Sequence, residues 1–171
     1  MTGYSIGAAR PEHIASLPAI ERAAAALFPD RVLSDEARNK VQSTQALARA
    51  QTEGRLWVAL APDGRPVGFA IAEGAGDVAF LVEVDVHPAH QRKGLGRALI
   101  EAVIAWARAE GFRALTLTTF ASVPWNAPFY ERLGFRRLDG PALSDRLARL
   151  LREETQNGLR ERVAMQLDLA V

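Results

Sequence analysis

The sequence predicts an α/β fold built on a mixed sheet. Two observations carry this reading. Strand-like and helix-like segments follow one another in the order β-α-α-β-β-β-α-β-α-β-α-β. In addition, the strand at 78–86 runs through a glycine-containing loop into a long apolar-periodic helix and then a further strand, so it should lie centrally in the sheet.

Each element has a local reason. Ser5–Ala9 reads as a strand that Arg10-Pro11 ends. Glu12–Leu27 is Ala-rich, and Ile14, Leu17, Ile20, Ala24 and Leu27 fall on one helical stripe. Phe28-Pro29-Asp30 breaks it, and Ser34-Asp35-Glu36 caps a second helix predicted to run to about Gln51. Leu56–Ala61 and Val67–Glu73, joined by Pro62-Asp63-Gly64, form a hairpin. Gly74-Ala75-Gly76-Asp77 turns the chain into the strand Val78–Val86. The helix Leu95–Glu110 buries Leu95, Leu99, Ala102, Val103 and Trp106 and stops at Gly111. Ala114–Thr119 is a strand, Asn126 opens a short helix that Gly134 closes, and Phe135–Leu138 is a strand. An amphipathic helix at Asp145–Thr155 and a strand at Arg162–Leu169 complete the chain.

Composition bounds the function. At 171 residues, 49% hydrophobic and 24% charged, the chain is expected to form a single globular domain over residues 1–171. Net charge is +1, which supplies no bulk argument for nucleic acid, a membrane or an acidic partner. No apolar run approaches the roughly 20 residues of a membrane helix, and no signal peptide is apparent, so a cytoplasmic location is expected. Cysteine is absent, which excludes disulfides, thiolate metal sites and an acyl-cysteine intermediate. With His13, His87 and His90 scattered, no metal site is expected.

Val84–Arg97 is the most informative stretch. A loop of Gln91, Arg92, Lys93, Gly94 and Leu95 with Gly96 and Arg97 opens the long helix, whose first N–H groups lack intrahelical partners and sit at the positive end of the dipole. That is a site for a phosphate or pyrophosphate. Neither the P-loop pattern nor the complete dinucleotide fingerprint is present, since Leu99 stands where the latter needs its third glycine. The pattern is Gln91-x-x-Gly94-x-Gly96, and Asn126-Ala127-Pro128-Phe129-Tyr130-Glu131-Arg132-Leu133-Gly134-Phe135 follows downstream.

Together these resemble the acetyl-coenzyme-A loop and the "FYxxxGF" segment of the GNAT superfamily (Gcn5-related N-acetyltransferases), over roughly residues 4–139. The resemblance implies the GNAT fold, a central mixed, mostly antiparallel sheet of about seven strands flanked by helices. It implies acetyl-coenzyme A as co-substrate and direct transfer of acetyl to a primary amine through a ternary complex. The helix at 145–155 is an addition to the minimal family plan, either a packing cover or a substrate lid.

The resemblance also assigns residues. Backbone N–H groups of Arg92 through Arg97 would hold the pyrophosphate, with charge from Arg92, Lys93 and Arg97. Val84 and Val86 would contact the pantetheine arm. Tyr130 would protonate the departing thiolate; otherwise it is a half-buried Tyr with a backbone partner. An amine of pKa about 10 is only about 0.1% unprotonated at pH 7, so a base is needed. Glu83 is the candidate, with Asp85 and His87 as runners-up, unless it is a solvated or ion-paired strand residue. Val82, Val84 and Val86 alternate with Glu83, Asp85 and His87, giving an apolar and a polar face. Asn126 reads as a helix N-cap, and Thr118, Thr119 and Ser122 offer hydroxyls to the coenzyme in its place. His87, next to Pro88, shapes the turn or a pocket wall, and Glu21 on the first helix either reaches the amine or, more simply, lies on a solvated helix face.

The acceptor would be a small-molecule or peptide amine, with residues 10–52 and the last strand forming its pocket, and a homodimer is compatible. Trp125 either walls that pocket or caps the core. A catalytically silent acyl-coenzyme-A-binding module would show an eroded loop or no Tyr. An acetyltransferase of aminoacyl-tRNA would show a basic patch. Enzymes of ribosomal-protein N-termini tend to carry Glu where Thr118 stands.

Overall fold

Seven strands in the order β1-β2-β3-β4-β5-β7-β6 form one sheet in the computed structural model, which describes residues 3–169. The strands are β1 (Ser5–Ala8), β2 (Leu56–Leu60), β3 (Pro66–Ala75), β4 (Val78–Val86), β5 (Ala114–Phe120), β6 (Arg136–Leu138) and β7 (Arg162–Asp168). The helices are α1 (Leu17–Ala25), α2 (Asp35–Arg38), α3 (Thr44–Thr52), α4 (Leu95–Ala109), α5 (Ala127–Arg132) and α6 (Asp145–Gln156). β4 lies at the centre and pairs in parallel with β5, while every other neighbouring pair is antiparallel. The predicted mixed sheet and the central place of β4 are both found.

Two predicted helices are broken. The first is a 3-10 turn over Pro11–Ser16 followed by α1, with Pro18 seated in the first turn of α1, where its missing N–H costs no bond. The second is split into α2 and α3. Ser34 and Ser43 each cap a separate helix, accepting from Ala37 N at 3.2 Å and Ala46 N at 3.1 Å. Gln42 lies in the gap between them, and its backbone N–H turns to Glu21.

One face of the sheet is covered by α4 and α5. Leu95, Leu99, Ile100, Val103 and Ala107 form the buried stripe of α4 and pack with Ala79, Leu81, Leu115, Leu117 and Met165. Each large aliphatic side chain buried there contributes about 1.5–3 kcal/mol. The opposite face is covered by α1 and α3 over β2 and β3, and by α6 over Phe80, Leu138 and Ala164.

Two irregularities open the centre. β4 and β5 pair only through Val78↔Ala114, Ala79↔Leu115 and Phe80↔Thr116, then part. β4 also carries a bulge against β3: Ile71 faces Glu83 while Ala72 faces Leu81, which leaves Val82 as the extra residue. The bulge inverts the side-chain alternation. Leu81 lies on the α4 face, Val82 packs with the opposite face, and Val84 and Val86 return to the α4 side. The simple alternation expected for Val82 through Val86 is therefore corrected at Val82.

Candidate active site

Beyond Phe80 and Thr116, β4 and β5 no longer pair. On the α4 side, the turn after β4 leads into the helix. Arg92 has φ 61° and Gly94, the N-cap of α4, has φ 75°. The first donor of the helix ladder is Ala98 N, bonding to Gly94 O at 3.0 Å, which leaves the N–H groups of Arg92 through Arg97 without a backbone acceptor among the described residues. Gly96 meets only Val86 Cγ2, at 4.0 Å from an added Cβ, so its open side faces space. Gln91, Arg92, Lys93 and Arg97 are exposed around this turn, while the Leu95 side chain anchors it in the core. Arg97 is paired with Glu101 at 2.9 Å, and Lys93 Nζ sits 5.8 Å from the Tyr4 ring centroid, so Arg92 is the side chain with the least committed charge. His87 Nδ1 accepts from Ala89 N at 3.1 Å, the turn-shaping role expected of it.

Val84 and Val86 stand on the freed edge of β4. His87 N donates to Val67 O at 2.8 Å, toward β3. Backbone donors alternate along a strand, so the N–H groups of Val86 and Val84 point the other way, toward the gap.

Across the sheet lies a carboxylate cluster. Glu21, Glu83 and Asp85 each bring an oxygen within 4.8 Å of the others. Glu21 is buried on α1, and its Oε2 accepts from Gln42 N at 2.7 Å. This corrects its reading as a solvated face, and the signal was available. Leu17, Ile20, Glu21 and Ala24 follow i, i+3, i+4, i+7 spacing, so Glu21 occupies a position on the apolar stripe. Burial, then the negative charge of Glu21, pushes Glu83 up to about 8, against which Asp85 and Arg162 act. Asp85 is pushed well above the ordinary carboxylate range, first by burial and then by Glu83 and Glu21. Its Oδ2 is buried with no hydrogen-bond partner among the described residues. Burial raises Glu21 as well, opposed by the Gln42 N–H. Calcium takes about six to eight oxygens. Three oxygens from three residues suit a shared proton better.

Tyr130 enters from the α4 side on α5. Tyr130 is more deeply seated than Phe129 and Leu133: it is 8% exposed and packs edge-on against Phe135 at 5.5 Å between centroids, while those two are partly buried. Burial, then the charges of Glu83 and Asp85, holds its phenol well above the ordinary value. The phenol therefore keeps its proton at any pH where the protein works.

Asn126 stands at the N-cap position of α5, but its side chain does not cap the helix. Its Oδ1 accepts from Thr119 Oγ1 at 2.7 Å, tying α5 to the end of β5. The other candidate hydroxyls are also engaged within the protein. Thr118 donates to Glu154 at 2.8 Å and Ser122 to Glu161 at 3.1 Å. Glu154 and Arg162, which sequence reasoning passed over, form a partly buried ion pair at 3.1 Å linking α6 to β7, and Arg162 lies 4.5 Å over Phe120. Nothing local marks this pair, because its partners meet only through the packing of α6. Trp125 is 47% exposed and packs on Phe28, which packs in turn on Phe120.

Fold and site define a class: mixed-sheet α/β proteins whose central parallel pair parts, with an anion-ready turn on one face and titratable carboxylates on the other. A family model described as "Acetyltransferase (GNAT) family" matches residues 18–135, and the chain belongs to that family. A region of 93 residues is 38% identical to the [ribosomal protein bS18]-alanine N-acetyltransferase of Escherichia coli strain K12, covering 54% of this chain and 63% of that protein. The chain thus matches under two thirds of that relative's length. Over 122 residues it is 38% identical to the aminoglycoside N(6')-acetyltransferase type 1 of Stenotrophomonas maltophilia, covering 60% of this chain and 75% of that one. Among solved structures, the ribosomal-protein-S18-alanine N-acetyltransferase from Escherichia coli superposes with TM-score 0.69 at 24% identity, covering 98% of this chain and 95% of that chain. The yncA protein of Salmonella typhimurium, solved with its cofactor acetyl-CoA, gives 0.71 at 20% identity, covering 98% and 95%. At such identities the superpositions establish the fold.

Proposed function

We propose that this protein is an acetyl-CoA-dependent N-acetyltransferase that moves an acetyl group directly to a primary amine in a ternary complex. The observation that carries this is the parting of β4 and β5, with Glu83 on the unpaired part of β4 and the free N–H turn directly after that strand. The chain fits the coenzyme. The N–H groups of Arg92–Arg97 suit a pyrophosphate, Gly96 leaves room for it, and the free edge of β4 at Val84 and Val86 suits an amide arm.

Bound acetyl-CoA supplies the acetyl group and a thiolate leaving group. Glu83 takes a proton from the acceptor ammonium, which frees the nitrogen lone pair to attack. As the tetrahedral intermediate collapses, the C–S bond breaks and Tyr130 gives its proton to the departing sulfur, while the second proton of the acylated nitrogen leaves and restores the phenol. The missing cysteine agrees with transfer in one step, without an acyl-enzyme.

The acceptor is a small-molecule or peptide amine; the relatives' names include both kinds. Three carboxylates at the acceptor face favour an amine without a neighbouring carboxylate, because like charges repel.

Thermal unfolding with and without acetyl-CoA, followed by thiol release over an amine panel, tests the proposal. At about 100 times its dissociation constant the coenzyme adds about 2.7 kcal/mol, a rise of roughly 5–10 °C. Thiol release should be greater with an alanine-starting peptide or an aminoglycoside than with free alanine. A shift without release from any amine would favour a silent acyl-CoA-binding module, and no shift would refute the reading of the turn.

A further inference from the structure

We propose that Glu21 is a positioning residue of the transfer reaction: its carboxylate, pinned to the Gln42 N–H, borders Glu83 from α1 and keeps Glu83 a strong proton acceptor. The inference rests on the reading of Glu83 as the base.

The argument begins with cost. Burying a carboxylate costs several kcal/mol unless a cation answers it. Glu21 is 7% exposed and has no ion-pair partner among the described residues. Its neighbour Arg22 is exposed, and what Glu21 faces instead is two further acids within 4.8 Å. A purely structural residue at this place on the stripe would be aliphatic, like Leu17 and Ile20 beside it. The arrangement spends stability, and such expense is characteristic of functional sites.

The surroundings divide the labour. The groups around Glu83 are Glu21 and Arg22 on α1, the Gln42 N–H before α3, Asp85 on β4, Tyr130 on α5, Glu154 on α6 and Arg162 on β7. The Gln42 N–H, at 2.7 Å, favours the ionised form of Glu21. Asp85 Oδ2 has no donor, so Asp85 favours its neutral form. Glu83 thus stands between a carboxylate held by a backbone donor and one whose buried oxygen has none. Two carboxylates in unlike environments take unlike roles. In the reaction the ammonium N–H bond breaks and an O–H bond forms on Glu83, while Glu21 touches neither acetyl donor nor amine and acts only through Glu83.

Two readouts test this, and the first needs no acceptor. The thermal stability of wild type should fall as pH rises through the range in which the cluster loses its proton. Glu21→Gln should lessen that fall and make the variant relatively more stable above pH 7. A merely structural Glu21 would make the variant less stable by a similar amount at every pH. The second readout is kcat/KM against pH, with acetyl-CoA and the best amine of the panel. Glu21→Gln should move the acid limb down by roughly one to two pH units and lower the alkaline plateau about tenfold, since a weaker base works more slowly. Glu21→Asp, which keeps the charge, should hold the limb near wild type, and it serves if the Gln variant fails to fold. A limb unmoved in Glu21→Gln but abolished in Glu83→Gln overturns Glu21's part alone. A wild-type limb in Glu83→Gln removes the base, and this inference with it.

Discussion

Tyr130 and Glu83 approach the gap from opposite faces of the sheet, and their environments push them toward opposite tasks. Burial and nearby negative charge keep the resting Tyr130 phenol protonated, so a proton is in place when the thiolate departs and the phenolate left behind regains one readily. Tyr130→Phe should lower kcat about a hundredfold while leaving the acetyl-CoA dissociation constant within about twofold, measured by steady-state kinetics beside calorimetry. Equal losses in turnover and affinity would make Tyr130 a packing residue. Glu83 titrates near 8 instead of its ordinary 4.5. It is an active base only above about 8, so the rate should climb through that pH. Glu83→Gln should erase the climb, with the largest loss between there and the amine's own pKa of about 10. Stability should run the other way. Between 4.5 and 8 the folded chain holds a proton that the unfolded chain has lost, so wild type weakens as pH rises. Glu83→Gln should therefore melt higher than wild type at pH 8 and converge with it near pH 4, and a parallel pair of melting curves would contradict the assignment.

The turn after β4 and the bulge within it show which parts of an element are written locally. Gly94 needs its positive φ, whereas Gly96 does not and only keeps space open. Gly94→Ala should lower stability by about 1–2 kcal/mol through left-handed strain. Gly96→Ala should leave the melting temperature of the free protein within about a degree and weaken acetyl-CoA binding at least tenfold. If Gly96→Ala bound the coenzyme normally, the pyrophosphate would have to lie elsewhere. This loop was legible because its glycines and the helix after it announce themselves in sequence. The polar residues of β4 were legible for the same reason. The bulge at Val82 was not: valine suits a strand whether or not it is paired, so only the register against β3 reveals it. The split of the second predicted helix was hidden too. Ser43 can cap or sit in a helix, and the choice falls to Gln42, whose N–H is drawn to Glu21 from another helix.

At the scale of the molecule, α6 does more than cover the sheet. Its apolar side packs on Phe80, Leu138 and Ala164, as a packing element should. From the same helix, however, Glu154 reaches Thr118 on β5 and Arg162 on β7, both at the face that holds Glu83. Arg162 lowers the titration of Glu83 and Glu154 raises it, with Arg162 the stronger of the two. The helix α6 thus sets part of the field at the proposed base. Arg162→Met strands Glu154 in a poorly solvated place and should cost about 3–5 kcal/mol, read as a lowered melting temperature. It should also move the acid limb of kcat/KM upward, since the cation opposing Glu83's proton is gone. Arg162→Met with Glu154→Leu removes both charges and should recover most of the stability, because an apolar pair can replace a buried ion pair. Its limb should lie between those of wild type and the single variant. If the double variant regains stability while the limb stays at the single variant's position, then Glu154 exerts no field on Glu83. The electrostatic link between α6 and the site would then run through Arg162 alone.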